Sequence, residues 1–285
     1  METGRIPADS IPGPLDLAWT LESGQTFRWR AVGDDSEWYQ TVEDGTVIEV
    51  RQREGGLDWR ATTDPTAILR ERLDLDRDLP AVLAAMPDEP PLNEAKARFE
   101  GLRLVSEPVV PTLFSFILSA QMRVERIHEN VSRLRATYGE PIDWRTETVS
   151  DFPDPEGLAA ASESELRDLG LGYRAPYVTQ TAAMLRDDAV DLAAVREQSY
   201  ESARSSLTEF VGVGPKVADC VLLFSMGFAE PVPLDTWIRT AIETHFPDAN
   251  RDSYAATSRA IRERLGPHPG YAQTYLFTHL RTGGD

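Results

Sequence analysis

The chain of 285 residues has one cysteine, two lysines among 29 basic residues, and four histidines. A single cysteine excludes an internal disulfide and any four-cysteine zinc or iron–sulfur site. No apolar run approaches the roughly 18 residues that a membrane helix needs, and the opening Met1-Glu-Thr-Gly-Arg-Ile-Pro has no apolar signal core. These absences lead us to expect a cytoplasmic monomer with no metal and no cofactor. Basic charge is also scarce: 29 Lys and Arg face 47 Asp and Glu, a formal charge of −18 with a pI near 4.7. Taken alone, that argues against a nucleic-acid partner, which normally meets a basic face. The same balance is expected of a salt-loving archaeal protein, where acidic surfaces help solubility. At 1 M salt the Debye length is about 3 Å, so acidity no longer excludes DNA.

What remains is globular: 41% hydrophobic and 8% aromatic residues, in a length that suits two domains. Residues 16–62 predict an antiparallel meander, with strands at Leu21–Ala31, Trp38–Glu43, Val47–Arg53 and Leu57–Ala61. Gly33-Asp34-Asp35, Asp44-Gly45 and Gly55-Gly56 divide them and supply the positive φ of tight hairpins. In Phe27-Arg28-Trp29-Arg30 the alternation predicts arginines on a wet face. Beyond Asp64 the pattern turns helical, with runs at Thr112–Ala120, Val124–Tyr138, Leu166–Gly172, Ala175–Arg186, Leu207–Val211, Pro215–Met226, Thr236–Phe246, Tyr254–Leu265 and Tyr271–Arg281. The fold class is therefore α+β: an N-terminal antiparallel sheet domain, 1–107, followed by an all-helical domain, 108–285, divided at Glu107-Pro108.

The more informative of the two lysines is Lys216, in Gly212-Val-Gly214-Pro-Lys216-Val-Ala-Asp-Cys220. Gly-Val-Gly between two short helical runs predicts a helix–hairpin–helix at about 204–227. Glycines let the hairpin backbone approach a phosphate, and the following helix start offers free N–H groups. Lys216 falls in the first turn, where the helix dipole disfavours an ammonium. Arginine could supply charge there but cannot act as a nucleophile or form a Schiff base. Asp235, in Val232-Pro-Leu-Asp235, precedes a helical run and reads as an N-cap, ionised and rigidly held. Such a carboxylate suits stabilisation of a positive transition state.

Five segments resemble the helix–hairpin–helix DNA glycosylase superfamily and, within it, the 8-oxoguanine DNA glycosylases. They are Leu21-Glu-Ser-Gly24-Gln-Thr-Phe-Arg-Trp29; Leu113-Phe-Ser-Phe-Ile-Leu-Ser-Ala-Gln121 with Arg126-Ile127; Leu169-Gly-Leu-Gly-Tyr173-Arg174-Ala175; the Lys216–Asp235 element; and Gly270-Tyr-Ala-Gln273-Thr-Tyr-Leu-Phe277. The resemblance implies an enzyme that flips a damaged base out of double-stranded DNA. It implies Lys216 as nucleophile at C1′, with Asp235 assisting and stabilising the oxocarbenium. A lysine Schiff base then allows strand cleavage by β-elimination. The base pocket implied comprises Gly24, Cys220, Gln273 and Phe277: the Gly24 carbonyl meets N7–H of the oxidised base, Cys220 and Phe277 sandwich it, and Gln273 reads its Watson–Crick edge. Gln121 and Tyr173 are implied to fill and wedge the duplex, Arg126 and Arg174 to contact the orphaned cytosine. Gly212 and Gly214 are implied to hold the backbone.

The sequence departs from the family at three places. The void-filling loop, Ala120-Gln121-Met122-Arg123, lacks the expected asparagines. Trp237 stands where a phosphate-binding histidine is expected, and a supporting carboxylate near His279 is absent as well. Two other readings stay open at this level: a related glycosylase for another damaged or mispaired base, and a non-catalytic helix–hairpin–helix DNA-binding module.

Overall fold

A computed structural model of the protein describes residues 1–33 and 37–283. The N-terminal part is an antiparallel sheet of β1 (Glu2–Pro7), β2 (Arg30–Val32), β3 (Trp38–Glu43), β4 (Thr46–Arg53) and β5 (Gly56–Ala61), with α1 (Leu17–Glu22) between β1 and β2. Its order is β1-β5-β4-β3-β2. Asp44 (φ 46°) and Gly45 (φ 73°) make the β3–β4 turn, as the Asp-Gly pair requires. Asp34 and Asp35 of the expected first turn lie outside the described residues. Strand β1 has no counterpart in the sequence reading; Ile6 pairs with Leu57 and joins the sheet's buried face.

The expected strand Leu21–Ala31 is a helix end, an irregular loop and a short strand. Asp16 caps α1 by accepting from Trp19 N at 2.9 Å, which starts a helix where alternation suggested extension. Gly24 then turns the chain at φ 93°. Arg28 is not on a wet face. It is 3% exposed, with Nη1 donating to Glu107 at 2.7 Å and to Glu43 at 3.3 Å, so its charge is compensated inside the protein.

Helices α2 (Thr66–Arg72), α3 (Leu79–Ala85) and α4 (Pro90–Arg98) follow, then an extended segment that contains Glu107-Pro108. Glu107 N donates to Phe224 O at 2.7 Å there. The second half comprises α5 (Val109–Leu118), α6 (Val124–Tyr138), a hairpin of β6 (Pro141–Trp144) and β7 (Glu147–Ser150), α7 (Pro155–Ala160), α8 (Glu163–Asp168), α9 (Ala175–Arg186), α10 (Leu192–Arg196), α11 (Tyr200–Leu207), α12 (Pro215–Ser225), α13 (Thr236–His245), α14 (Tyr254–Arg264) and α15 (Pro269–Arg281). Leu92 and Phe99 of the α4 region pack with Ile238, Ile242, Tyr275 and Leu276, so the chain before Glu107 contributes to a core shared with the C-terminal helices. A second core joins α5, α6 and α9 to α12.

Two further expectations are corrected. Residues 141–150 form a hairpin whose Trp144 Nε1 donates to the buried Glu49 at 3.0 Å, fastening it to the sheet. Its turn uses Arg145 at φ 56° in place of the usual glycine or asparagine, so no turn residue announced it. The helix expected at Leu207–Val211 is in fact α11 ending at Leu207. Leu207, Phe210 and Val213 are all buried, which imitates helical spacing. Gly212 at φ 82° breaks the helix, and a Cβ there would stand 2.8 Å from the Tyr177 ring.

Candidate active site

A cavity of about 930 Å³ opens between the two halves of the molecule. It gathers Gly24, Gln121, Gly212, Gly214, Lys216, Cys220, Asp235, Trp237, Gln273 and Phe277 from five separate stretches of chain.

Lys216 enters from the first turn of α12, after Pro215 at a position that needs no N–H. Its Nζ lies 3.2 Å from Ser119 Oγ and 5.4 Å from the Phe116 ring centroid, so the amine is held by one neutral partner and an aromatic face. Asp235 caps α13: one carboxylate oxygen, Oδ1, accepts from Ile238 N at 2.8 Å. Burial pushes its carboxyl above the usual range, against the pull of the capping N–H and of the Lys216 charge. Cys220, one turn beyond Lys216, is 3% exposed, and burial pushes its thiol up to about 12. It serves as an apolar wall and stays protonated.

Opposite, α15 presents Gln273, which is buried, and Phe277, which is half-buried. A Cβ on Gly24 would lie 3.4 Å from Phe277 Cε1, so the Gly24 backbone passes close along the ring edge. Its loop is fixed by Gln25. That amide donates to Arg103 O at 2.9 Å and accepts from Val105 N at 3.1 Å, filling the place of a neighbouring strand.

The structure does not bring Arg126, Tyr173 and Arg174 into the cavity. Arg126 is exposed on α6 and paired with Glu129 at 2.7 Å. Tyr173 is 54% exposed on the turn before α9. Arg174 is buried: it donates to the Ala120 carbonyl, and its guanidinium lies 4.3 Å from the Tyr173 ring centroid. It thus ties the Tyr173 turn to the loop that carries Gln121, which is exposed at φ 52°. Trp237 is 44% exposed at the cavity mouth, while His279 is buried and pairs with Glu94 at 3.4 Å.

Ser119, Asp219, Tyr254 and Arg239 were given no role by the sequence. A serine closing an apolar helix and an aspartate inside one were the available signals for the first two. Tyr254 and Arg239 sit at ordinary helical positions and carried none.

The chain matches two family descriptions: the 8-oxoguanine DNA glycosylase N-terminal domain over residues 10–113, and HhH-GPD superfamily base excision DNA repair protein over 114–267. It is 32% identical to a probable N-glycosylase/DNA lyase of Methanothermobacter thermautotrophicus, over 98% of this chain and 96% of that one. The structure of MBOgg1 in complex with a low-affinity DNA ligand superposes with a TM-score of 0.88 at 29% identity, covering 100% of both chains. The Clostridium acetobutylicum 8-oxoguanine glycosylase/lyase, in complex with DNA containing cytosine opposite 8-oxoguanine, superposes with a TM-score of 0.87 at 26% identity, over 95% of this chain and 93% of that one. With a buried, helix-capping carboxylate facing a lone lysine behind a glycine hairpin, the chain belongs to the HhH-GPD superfamily of base excision DNA repair proteins, in the branch that carries the 8-oxoguanine DNA glycosylase N-terminal domain.

Proposed function

We propose that the protein is a bifunctional DNA glycosylase/lyase that removes 8-oxoguanine opposite cytosine from double-stranded DNA. The observation that carries this reading is one cavity that joins an amine, a buried carboxylate and a slot between Cys220 and Phe277. The target base leaves the stack and enters that slot. Lys216 Nζ, as free amine, attacks C1′ of the deoxyribose while the bond to the base breaks with its electron pair. Asp235 stabilises the positive charge that develops on the sugar. The secondary amine formed loses the ring oxygen bond and becomes a Schiff base. Loss of the C2′ proton then expels the 3′ phosphate by β-elimination.

Gly24 O accepts N7–H of the oxidised base; guanine offers a lone pair there and is refused. Gln273 bonds the Watson–Crick edge. Gln121 takes the vacated place in the duplex, Tyr173 wedges the other strand, and Arg126 and Arg174 meet the cytosine. A Cβ on Gly214 would meet nothing within 4 Å, so the fold itself makes no demand for glycine there. Close approach of a phosphate backbone to Gly212–Gly214 and the α12 N-terminus supplies that demand. Trp237 lies beside the same backbone. The acidic surface fits a cytoplasm at molar salt, where the chromosome would be the substrate.

Borohydride trapping on an 8-oxoguanine:cytosine duplex tests the reading. The wild-type protein should form a covalent adduct. Lys216→Gln and Lys216→Arg should form none and release no base, while both still bind the duplex. An active Lys216→Arg enzyme would refute the nucleophile, because arginine keeps the charge and loses the chemistry.

A further inference from the structure

Asp219 lies on α12, three residues after Lys216, and is 0% exposed. Its Oδ1 accepts from Tyr200 OH at 2.8 Å and its Oδ2 from Tyr254 OH at 2.7 Å. Arg204 Nη1 stands 3.9 Å away and donates to Tyr200 OH at 3.0 Å. Burial pushes this carboxyl up to about 6, against both phenols and the arginine, so keeping it ionised is costly. An apolar residue would fill the space at lower cost. What the carboxylate does becomes visible one bond further on. Tyr254 OH, oriented by donating to Asp219, accepts the N–H of Leu234 at 3.2 Å. The carbonyl of Leu234 accepts from Arg239 Nε at 3.2 Å. Both main-chain polar groups of Leu234, the residue before Asp235, are therefore held, the N–H by a tyrosine that Asp219 on the Lys216 helix orients. Tyr254 also lines the cavity.

We propose that Asp219 and Tyr254 are positioning residues that set the distance between Lys216 and Asp235, by tying the Leu234 backbone to α12. The inference rests on the reading of Lys216 and Asp235 as the reacting pair. Both act through the Leu234 backbone. Their effect is to keep the capping carboxylate from drifting along the cavity wall when the base is bound.

Tyr254→Phe removes the hydroxyl and keeps the ring. Misplacing a reacting group by about 1 Å typically costs up to 100-fold, so single-turnover release of 8-oxoguanine should fall by roughly 10-fold or more. The duplex Kd should stay within about twofold, because the loss is confined to the transition state. Trapping on a preformed abasic site should fall much less, since that step breaks no bond to a base and leans less on Asp235. Asp219→Asn should give the same split, because its amide cannot accept from both phenols. The double variant should be no slower than the slower single one, as expected for residues acting through one path.

All rates are to be taken per trappable active site, so that loss of folded protein does not count. Base release and trapping falling in parallel, or a double variant slower by the product of the two singles, would overturn the proposal. Asp235→Asn serves as the control. If it releases base at the wild-type rate, the reacting pair itself is misassigned. If it is slow while Tyr254→Phe is at the wild-type rate, only the positioning role fails.

Discussion

The two walls of the cavity are built on different principles. The Lys216–Asp235 wall is made of helix starts. Pro215 opens α12, Asp235 caps α13, and each sits within a few residues of what it stabilises. The Gly24–Trp29 wall has no regular structure and is held by partners 78 to 80 residues away. Gln25 bonds Arg103 and Val105, Arg28 pairs with Glu107, and Trp29 Nε1 donates to the same carboxylate at 2.8 Å. One wall can be damaged in its chemistry with the fold intact. The other carries its shape in buried polar bonds, so damage there is felt first as instability.

Five measurements sharpen or break that contrast. On the helical wall, Asp235→Asn should slow base release by about 10²–10³-fold, the usual cost of one preorganised charge. It should leave thermal stability nearly unchanged, because asparagine also caps helices. The pH dependence has a definite sign. Burial raises the Asp235 carboxyl, so the wild-type rate should fall with decreasing pH at a value above the ordinary carboxylate range. Stability from this group runs the other way: it is fully present below the unfolded-state pKa and is lost as pH rises through the folded one. A variant that unfolds would give Asp235 a mainly architectural role.

On the loop wall, Arg28→Met leaves Glu107 buried without its cation, while Glu43 keeps Arg72 at 2.8 Å. It should cost about 3–5 kcal/mol of folding stability, read by denaturant unfolding. Because that pair is buried, the loss should persist in concentrated KCl, where surface pairs are screened. A loss that vanished with salt would place the arginine back on a wet face. A smaller effect is expected from Gln25→Leu, which orphans Val105 N and Arg103 O, at about 1–3 kcal/mol. Here the telling readout is the ratio of excision from 8-oxoguanine over guanine, which should shrink as Gly24 loses its support. An unchanged ratio would detach Gln25 from recognition.

The smallest effect should be that of salt on the cleavage of an 8-oxoguanine:cytosine duplex. Each phosphate neutralised by a cation contributes about −0.9 to the slope of log K against log salt. Amides, rings and a glutamine meet the duplex beside only a few cations, Arg123, Arg239 and Arg281 among them, so the slope should be shallow and activity should persist at roughly 1–3 M KCl. A steep loss below about 0.5 M, with the protein still folded, would contradict it.

The same contrast explains what could be read from the sequence. Val124–Tyr138 and Ala175–Arg186 form helices between the expected ends, and Asp235 caps as expected, because these outcomes depend on neighbours in the chain. Lys216 stood out because its chemistry cannot be had from the arginine used elsewhere. Arg28 could not be placed correctly, since nothing within ten residues of it announces Glu107. The same holds for Trp144 and Glu49, which meet across 95 residues. Arg126, Tyr173 and Arg174 were named from one segment pattern each, and they flank the cavity without lining it. Asp219 was within sight, three residues from the lysine, but its partners lie on α11 and α14. No local pattern joins them.

Cys220 has a consequence for how the protein survives its own working conditions. Oxidants attack thiolates far faster than thiols. With its thiol pushed up to about 12 by burial, Cys220 stays protonated at neutral pH. No second cysteine exists to form a disulfide with it. Peroxide therefore finds almost no thiolate beside Lys216. The cavity wall at Cys220 is thus chemically quiet toward oxidants.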